Sequence, residues 1–250
     1  MIAPVPSPVL ALDASGDACS AAVLTAAGAH SRVEPMMRGH AERLVPMTAE
    51  LLAEAALDWA DLRLIVVARG PGSFTGVRVA VAAARGFALA LGRPAIGVDV
   101  FDALAAGFAP SIEVETPQVE TPQVEAPQVE TREIGTPFAV CLGKGSGVAW
   151  RGYSGVRDER LPHPREEGRG APGPRYRVLI GPAAASLDPD RASEGFERLD
   201  PVVLANCGQW LARSGAPAPA APLYLRPPDA APSSTAPPIR LDRPGPGAEG

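Results

Sequence analysis

Residues 64 to 98 constrain the fold more than any other stretch. Leu64–Ala68 is a short, wholly apolar run, Thr75–Leu91 is a long segment apolar nearly all round, and Ala95–Val98 is a second aliphatic run. Gly92 and Pro94 stop the middle segment. Strand, helix and strand in so short a span require a crossover connection, so the two strands are expected to lie parallel and adjacent in one sheet. Upstream, Val9–Leu12 ends at Asp13, a turn follows at Ala14–Asp17, and Cys19–Thr25 and Ser31–Met36 read as further strands around a turn at Ala27-Gly28. From Ala41 the period changes: Leu44, Met47, Leu51 and Ala55 recur at three- and four-residue steps, which predicts an amphipathic helix over Ala41–Leu57. A three-stranded meander followed by α-β-α-β describes a ribonuclease-H-like lobe.

Composition sets the outer bounds. With 46% hydrophobic and 20% charged residues in 250, most of the chain is able to form a core. A net charge of −5 argues against a broad nucleic-acid clamp, which needs clustered Lys and Arg to displace counterions. Cys19, Cys141 and Cys207 are odd in number and form no CxxC pair, so neither a disulfide framework nor a zinc ribbon is expected. Met1 to Leu12 has prolines at 4, 6 and 8 and no basic stretch, unlike a signal peptide. Val77–Leu91 carries Arg78 and Arg85 and is short for a bilayer span. A cytoplasmic protein with no membrane partner is the expectation.

The second half is looser, and most of the 26 glycines and 29 prolines in excess of ordinary usage fall there. Val114-Glu115-Thr116-Pro117-Gln118 recurs as Val119 to Gln123 and again, with alanine for threonine, as Val124 to Gln128. A proline every fifth residue forbids helix, and the glutamates keep the segment solvated. Extended, it would reach roughly 75 Å at about 3.1 Å per residue, so it reads as a disordered linker. Beyond it, Ala139–Leu142 and Val148–Tyr153 suggest a hairpin, Arg157 to Arg177 a loop, Val178–Ile180 a strand, Val202–Arg213 a helix and Leu223–Leu225 a last strand. The expected division is a first lobe over 1–109, a linker over 110–136, a smaller lobe over 137–226 and a disordered tail over 227–250.

The strongest local signal runs from Arg69 to Arg78, out of a strand and into a helix. Gly70, Gly72 and Gly76 permit close backbone approach, and the free N–H groups near Ser73 and Thr75 at the helix start suit either an anion or a structural turn. The pattern is neither GxGxxG nor a Walker loop, and Ser73 does not sit in a nucleophile elbow. His40 stands at the start of the first helix, two residues before Glu42, and no HxxxH or HExxH pair exists. Asp13 ends the first strand, where a phosphotransferase of this architecture would hold a metal, but the corresponding turn at Leu142 to Gly147 supplies no acid. No catalytic, cofactor-binding or metal-ligating residue is assigned, and no cofactor is expected.

Leu10-Ala11-Leu12-Asp13-Ala14-Ser15, Gly39-His40-Ala41-Glu42-Arg43-Leu44-Val45-Pro46 and, above all, Gly70-Pro71-Gly72-Ser73-Phe74-Thr75-Gly76-Val77-Arg78 resemble the TsaB family of bacterial tRNA threonylcarbamoyladenosine biosynthesis proteins. The likeness extends over Val9 to Ala109 and resumes at Pro222-Leu223-Tyr224-Leu225-Arg226. It implies an α/β, two-lobed actin-like fold with a complete first lobe and a reduced second one. It also implies a non-catalytic subunit that pairs with the catalytic paralogue TsaD and with the ATPase TsaE. That assembly transfers a threonylcarbamoyl group to the adenosine beside the anticodon of ANN-decoding tRNAs. Leu142-Gly143-Lys144 departs from the family's usual Asp-Ala-Arg. The rival reading is a free-standing ATP-dependent phosphotransferase or ATPase on the same fold.

The resemblance also implies a dimer surface built from the two first-lobe helices. A helix apolar all round must be covered on more than one side. Val77, Val81, Ala84, Phe87 and Ala88 of the second helix, with His40, Glu42, Leu44, Met47 and Leu51 of the first, are therefore expected to form the interface with a paralogue or a second copy.

Overall fold

The computed structural model describes residues 7–108, 137–143, 148–153, 164–215 and 217–224. The repeat, the linker over 110–136 and the tail over 227–250 lie outside the described residues.

Strands β1 (Val9–Asp13), β2 (Ala18–Leu24) and β3 (Ala29–Pro35) form the antiparallel meander. Helix α1 (His40–Glu54) follows, then a 3₁₀ turn at Trp59–Asp61, β4 (Leu64–Ala68), α2 (Phe74–Leu91) and β5 (Ala95–Val98). β4 lies parallel to both β1 and β5, as the crossover requires. The side-chain period of two divides the buried strands cleanly. Leu10, Leu12, Ile65 and Val67 face α1 and α2, whereas Val9, Ala11, Leu64 and Val66 face the other way. Both faces of the sheet are therefore core, which explains the unbroken apolar runs.

The helices start and stop for local reasons. Ser73 caps α2 by accepting the Gly76 amide at 3.3 Å, and Gly92 ends it in a left-handed conformation. α1 stops at Glu54, short of Leu57, because Ala55 closes the last turn and Ala56 takes a positive φ of 52°. Arg43 bonds Glu34 at 2.6 Å and Glu50 at 2.7 Å, and Arg32 pairs with Glu50 and Glu54, so the outer side of α1 is stitched to the edge strand β3.

Helix α3 (Val100–Phe108) leads out of the first lobe. The second sheet comprises β6 (Phe138–Leu142), β7 (Ala149–Tyr153), β8 (Pro164–Arg169) and β9 (Val178–Ile180), in the order β8-β7-β6-β9. Phe138, Val140 and Leu142 pack towards the first sheet; Ala139 and Cys141 pack with Tyr176 and the short α4 (Ala184–Leu187). The expected loop over Arg157–Arg177 thus contains a strand. β8 is an edge strand of mostly charged residues, paired antiparallel with β7, and it carries no alternation of its own.

The chain then returns. α5 (Pro201–Ser214) packs on β1, β2, β4 and β5, and β10 (Ala218–Pro219) pairs with β5, giving the first sheet the order β10-β5-β4-β1-β2-β3. A side chain at Gly208 would lie 2.2 Å from Val66, so glycine there lets α5 approach the sheet. The division at 137–226 therefore needs correction: its last segment belongs to the first sheet. The final strand is Ala218–Pro219, whereas Leu223 contributes a single bond to Arg69 O at 2.7 Å, and Leu225 lies outside the described residues.

α2 has the length and apolar content to cross a bilayer, counting from Phe74 rather than Val77. Its inner side is instead committed to the sheet, through Val77, Ala80, Val81 and Ala84.

Candidate functional site

A cleft of about 1140 Å³ opens between the lobes at the C-terminal end of β1. Its first wall is the turn after Asp13, the glycine loop and the starts of α1 and α2; its second includes Leu142, Gly143, Pro182 and Leu199, with Val100 and Leu104 of α3 between them.

The glycine loop is shaped by the turn it meets. The Ser73 amide donates to Ser15 O at 2.7 Å, and Gly70 O accepts from Val100 N at 2.9 Å. A Cβ at Gly72 would lie 2.3 Å from Ser15 O, and one at Gly76 would lie 1.8 Å from Ala14 O. Gly70 has φ 99° and stands against Leu223 O. These glycines are required by backbone meeting backbone. Gly72, Ser73, Thr75 and Gly76 line the cleft, whereas Gly70 is buried behind them.

Asp13 is 6% exposed and accepts the Ser15 amide on Oδ1 at 2.7 Å. Burial raises its carboxyl above the usual range, with the Ser15 hydrogen bonds and the nearby His40 opposing that shift. His40 and Glu42 border the same cleft, and His40 Nε2 is buried without a hydrogen-bond partner among the described residues. Across the mouth, Arg198 forms a two-pronged pair with Asp17, both bonds at 3.0 Å. Among the described residues no three His, Cys, Asp or Glu side chains converge on one point. The arrangement offers backbone donors at a helix start, hydroxyls and one buried carboxylate, beside an apolar end at Leu104 and Leu142.

The helix residues expected at an interface divide differently. Leu44, Met47, Leu51, Val77, Val81 and Ala84 are buried within this chain, packed between α1, α2 and the sheet. They have no surface to offer a partner, because the cover the helix needed comes from its own lobe. Phe87 is half-buried, its ring 4.8 Å from Trp59, and Ala88 is also half-buried. Helix direction decides the outcome: Ala82, Gly86 and Leu89 of α2, and Val45, Pro46 and Ala49 of α1, point outward. Leu89 is 87% exposed and Val45 44%. The spacing 82, 86, 89 is itself a helical face, distinct from the more apolar face that the sheet covers.

The comparisons with known proteins bear on the family and the fold. The family model described as "TsaD: tRNA N6-adenosine threonylcarbamoyltransferase" matches residues 33–126. An uncharacterized protein of Mycobacterium tuberculosis is 33% identical over 238 residues, spanning 90% of this chain and 95% of that protein. The tRNA threonylcarbamoyladenosine biosynthesis protein TsaB of Escherichia coli is 35% identical over 99 residues, 40% of this chain and 43% of its own length. The TsaB of Haemophilus influenzae is 39% identical over 97 residues, again less than half of that protein. Among solved structures, YeaZ from Pseudomonas aeruginosa superimposes with a TM-score of 0.66 at 24% identity, covering 87% of this chain and all of that one. The two-sheet arrangement is the actin-like, ribonuclease-H-like fold.

Proposed function

The chain belongs to the TsaB-type family, and from that premise we propose that it is a non-catalytic, scaffolding subunit in tRNA threonylcarbamoyladenosine biosynthesis. In this reading it works in the cytoplasm and docks on the catalytic paralogue TsaD, with the ATPase TsaE as a further partner and a homodimer as the competing state. The assembly, rather than this chain alone, modifies the adenosine beside the anticodon of ANN-decoding tRNAs.

The observation that carries the reading is the outward side of α2. Leu89 stands 87% exposed beside Gly86 and Ala82, and α1, packed alongside, presents Val45 and Ala49. Small residues let a partner's helix come to the near end of the usual ~8–10 Å separation, and an exposed leucine supplies apolar area to bury.

The test is light scattering on the chain mixed with its catalytic paralogue. Leu89→Arg should leave the circular dichroism and melting unchanged, because the side chain touches little of its own lobe, and should abolish the complex. A folded Leu89→Arg protein that assembles like wild type would remove α2 from the interface.

A further inference from the structure

The seam between the lobes, away from the cleft mouth, holds charges that docking through α1 and α2 leaves unused. Asp99 caps α3: its Oδ1 accepts the Phe101 amide at 2.9 Å, and its carbonyl accepts the Ala103 amide at 3.0 Å. Asp102 lies one helical turn further on. From the second sheet, β7 sends Arg151 and Tyr153 towards them. Arg151 Nη1 donates to Asp99 Oδ2 at 3.0 Å and to Asp102 Oδ1 at 2.9 Å, and the Tyr153 hydroxyl donates to that same Asp102 oxygen at 2.7 Å. Arg151 Nε bonds Glu167 of β8 at 2.7 Å, and the guanidinium lies 4.8 Å from the centre of the Phe101 ring.

Among the described residues the charges at this seam do not balance. Glu167 is 60% exposed at its side chain and water solvates it, but Asp99 is 8% exposed. One nitrogen shared by two carboxylates leaves a surplus negative charge where screening is weak. The other elements packed on α3 add little. α5 brings Cys207, whose thiol is held protonated first by burial and then by the field of Asp102. β9 has no titratable residue, and Cys141 of β6 packs in the opposite cluster. Burial and then repulsion from Asp102 push the Asp99 carboxyl up to about 6, with Arg151 pulling the other way.

We propose that Asp99, Asp102, Arg151 and Tyr153 form a proton-responsive clasp between the lobes, which grips more firmly when the carboxylate pair takes up a proton. A proton on Asp99 cancels the surplus charge while Arg151 and Tyr153 stay bonded to Asp102, so α3 and β7 are drawn together. Val100 and Leu104 of α3 and Leu142 of β6 line the cleft, so the clasp also governs how far the cleft opens. The sign follows from linkage. Opening the clasp to water would return the Asp99 carboxyl towards its ordinary 3.8, whereas the closed arrangement pushes it up to about 6. The contribution is complete below the lower value and is lost as pH rises through the upper one. Between pH 7.5 and 5.5 the closed form should gain about fourfold over the open form.

Hydrogen exchange on the full-length chain, corrected for the intrinsic pH dependence of amide exchange, measures this directly. Protection of Ala149–Tyr153 and of the α3 amides should rise about fourfold from pH 7.5 to 5.5 in the wild type. Asp99→Asn should hold the protected level at both pH values. Asp102→Asn keeps an acceptor for Tyr153 but removes the neighbouring charge, and should move the wild-type midpoint down by about one pH unit. It decides the question alone should Asp99→Asn fail to fold. Glu167→Gln, at the exposed end, should leave the profile unchanged. A flat wild-type profile, or an Asp102→Asn midpoint equal to that of wild type, overturns the clasp.

Discussion

The Ser73 amide donates to the carbonyl oxygen of Ser15 across 2.7 Å, joining the glycine loop to the turn of the first hairpin. Two glycines make that approach possible, and both are spatial requirements rather than turn preferences. Gly76→Ala would drive a methyl group into Ala14 O. It should cost about 3 kcal/mol or more in urea denaturation, the upper end for overpacking. Gly86→Ala is the internal contrast. Nothing lies within 4 Å of its Cβ position on the outward side of α2, so it should gain about 0.5–1 kcal/mol.

Ala84→Glu is expected to fail at folding rather than at assembly. Ala84 has no exposed surface and packs against the sheet, so a carboxyl group there, driven to its neutral form and still unpaired, costs on the order of 2–7 kcal/mol. Circular dichroism and thermal melting of the isolated variant read this out. A folded Ala84→Glu protein with wild-type melting would show that α2 is not packed as described.

Asp13→Asn should stabilise the protein at neutral pH. The folded state raises the Asp13 carboxyl above its ordinary 3.8, so this group's contribution to stability is present at low pH and is lost as pH rises through the raised value. Asparagine keeps an acceptor for the Ser15 amide and carries no charge. Urea midpoints at pH 7.5 should favour the variant, and the difference should narrow on acidification. Equal midpoints at both pH values would mean that Asp13 is solvated as an ordinary surface carboxylate.

Removing Val114 to Val129 is expected to leave melting temperature and complex formation as they are. A proline every fifth residue and regularly spaced glutamates leave too little apolar surface to bury, and each halving of a loop changes closure entropy by only about 0.6 kcal/mol. A fall of more than a few degrees in the deletion variant would show that the repeat packs on one of the lobes.

Sequence patterning carried the first lobe well because β1, β2 and β4 are buried on both faces and its helices α1 and α2 have strong periods. β4, α2 and β5 appear where the apolar runs of Leu64–Ala68, Thr75–Leu91 and Ala95–Val98 place them. β8 was not legible, since Pro164–Arg169 is a charged edge strand whose only structural signal is its partner β7. The glycine loop was legible as a close approach, but not what it approaches, because Ala14 and Ser15 lie far away in sequence. The outward face of α2 was missed for a different reason: Val77, Val81 and Ala84 are more apolar than Ala82, Gly86 and Leu89, so hydrophobicity alone points to the buried side. Helix α3, with the i,i+3 pair Asp99 and Asp102, was not read from the sequence, because Val100–Phe108 is apolar nearly throughout and follows a strand without a break, and its partner Arg151 is supplied by tertiary structure.

The return of α5 and β10 to the first sheet bears on how the molecule is made. Until Pro201–Ser214 has been synthesised, Val9, Ala11, Leu64 and Val66 lack the helix that covers them, and β5 lacks its edge partner. During translation the amino-terminal half must therefore wait, half-dressed, while the ribosome completes the intervening second sheet. Topologically the smaller lobe is an insertion within the larger one, and a nascent chain arrested before α5 is the species that chaperones are expected to hold.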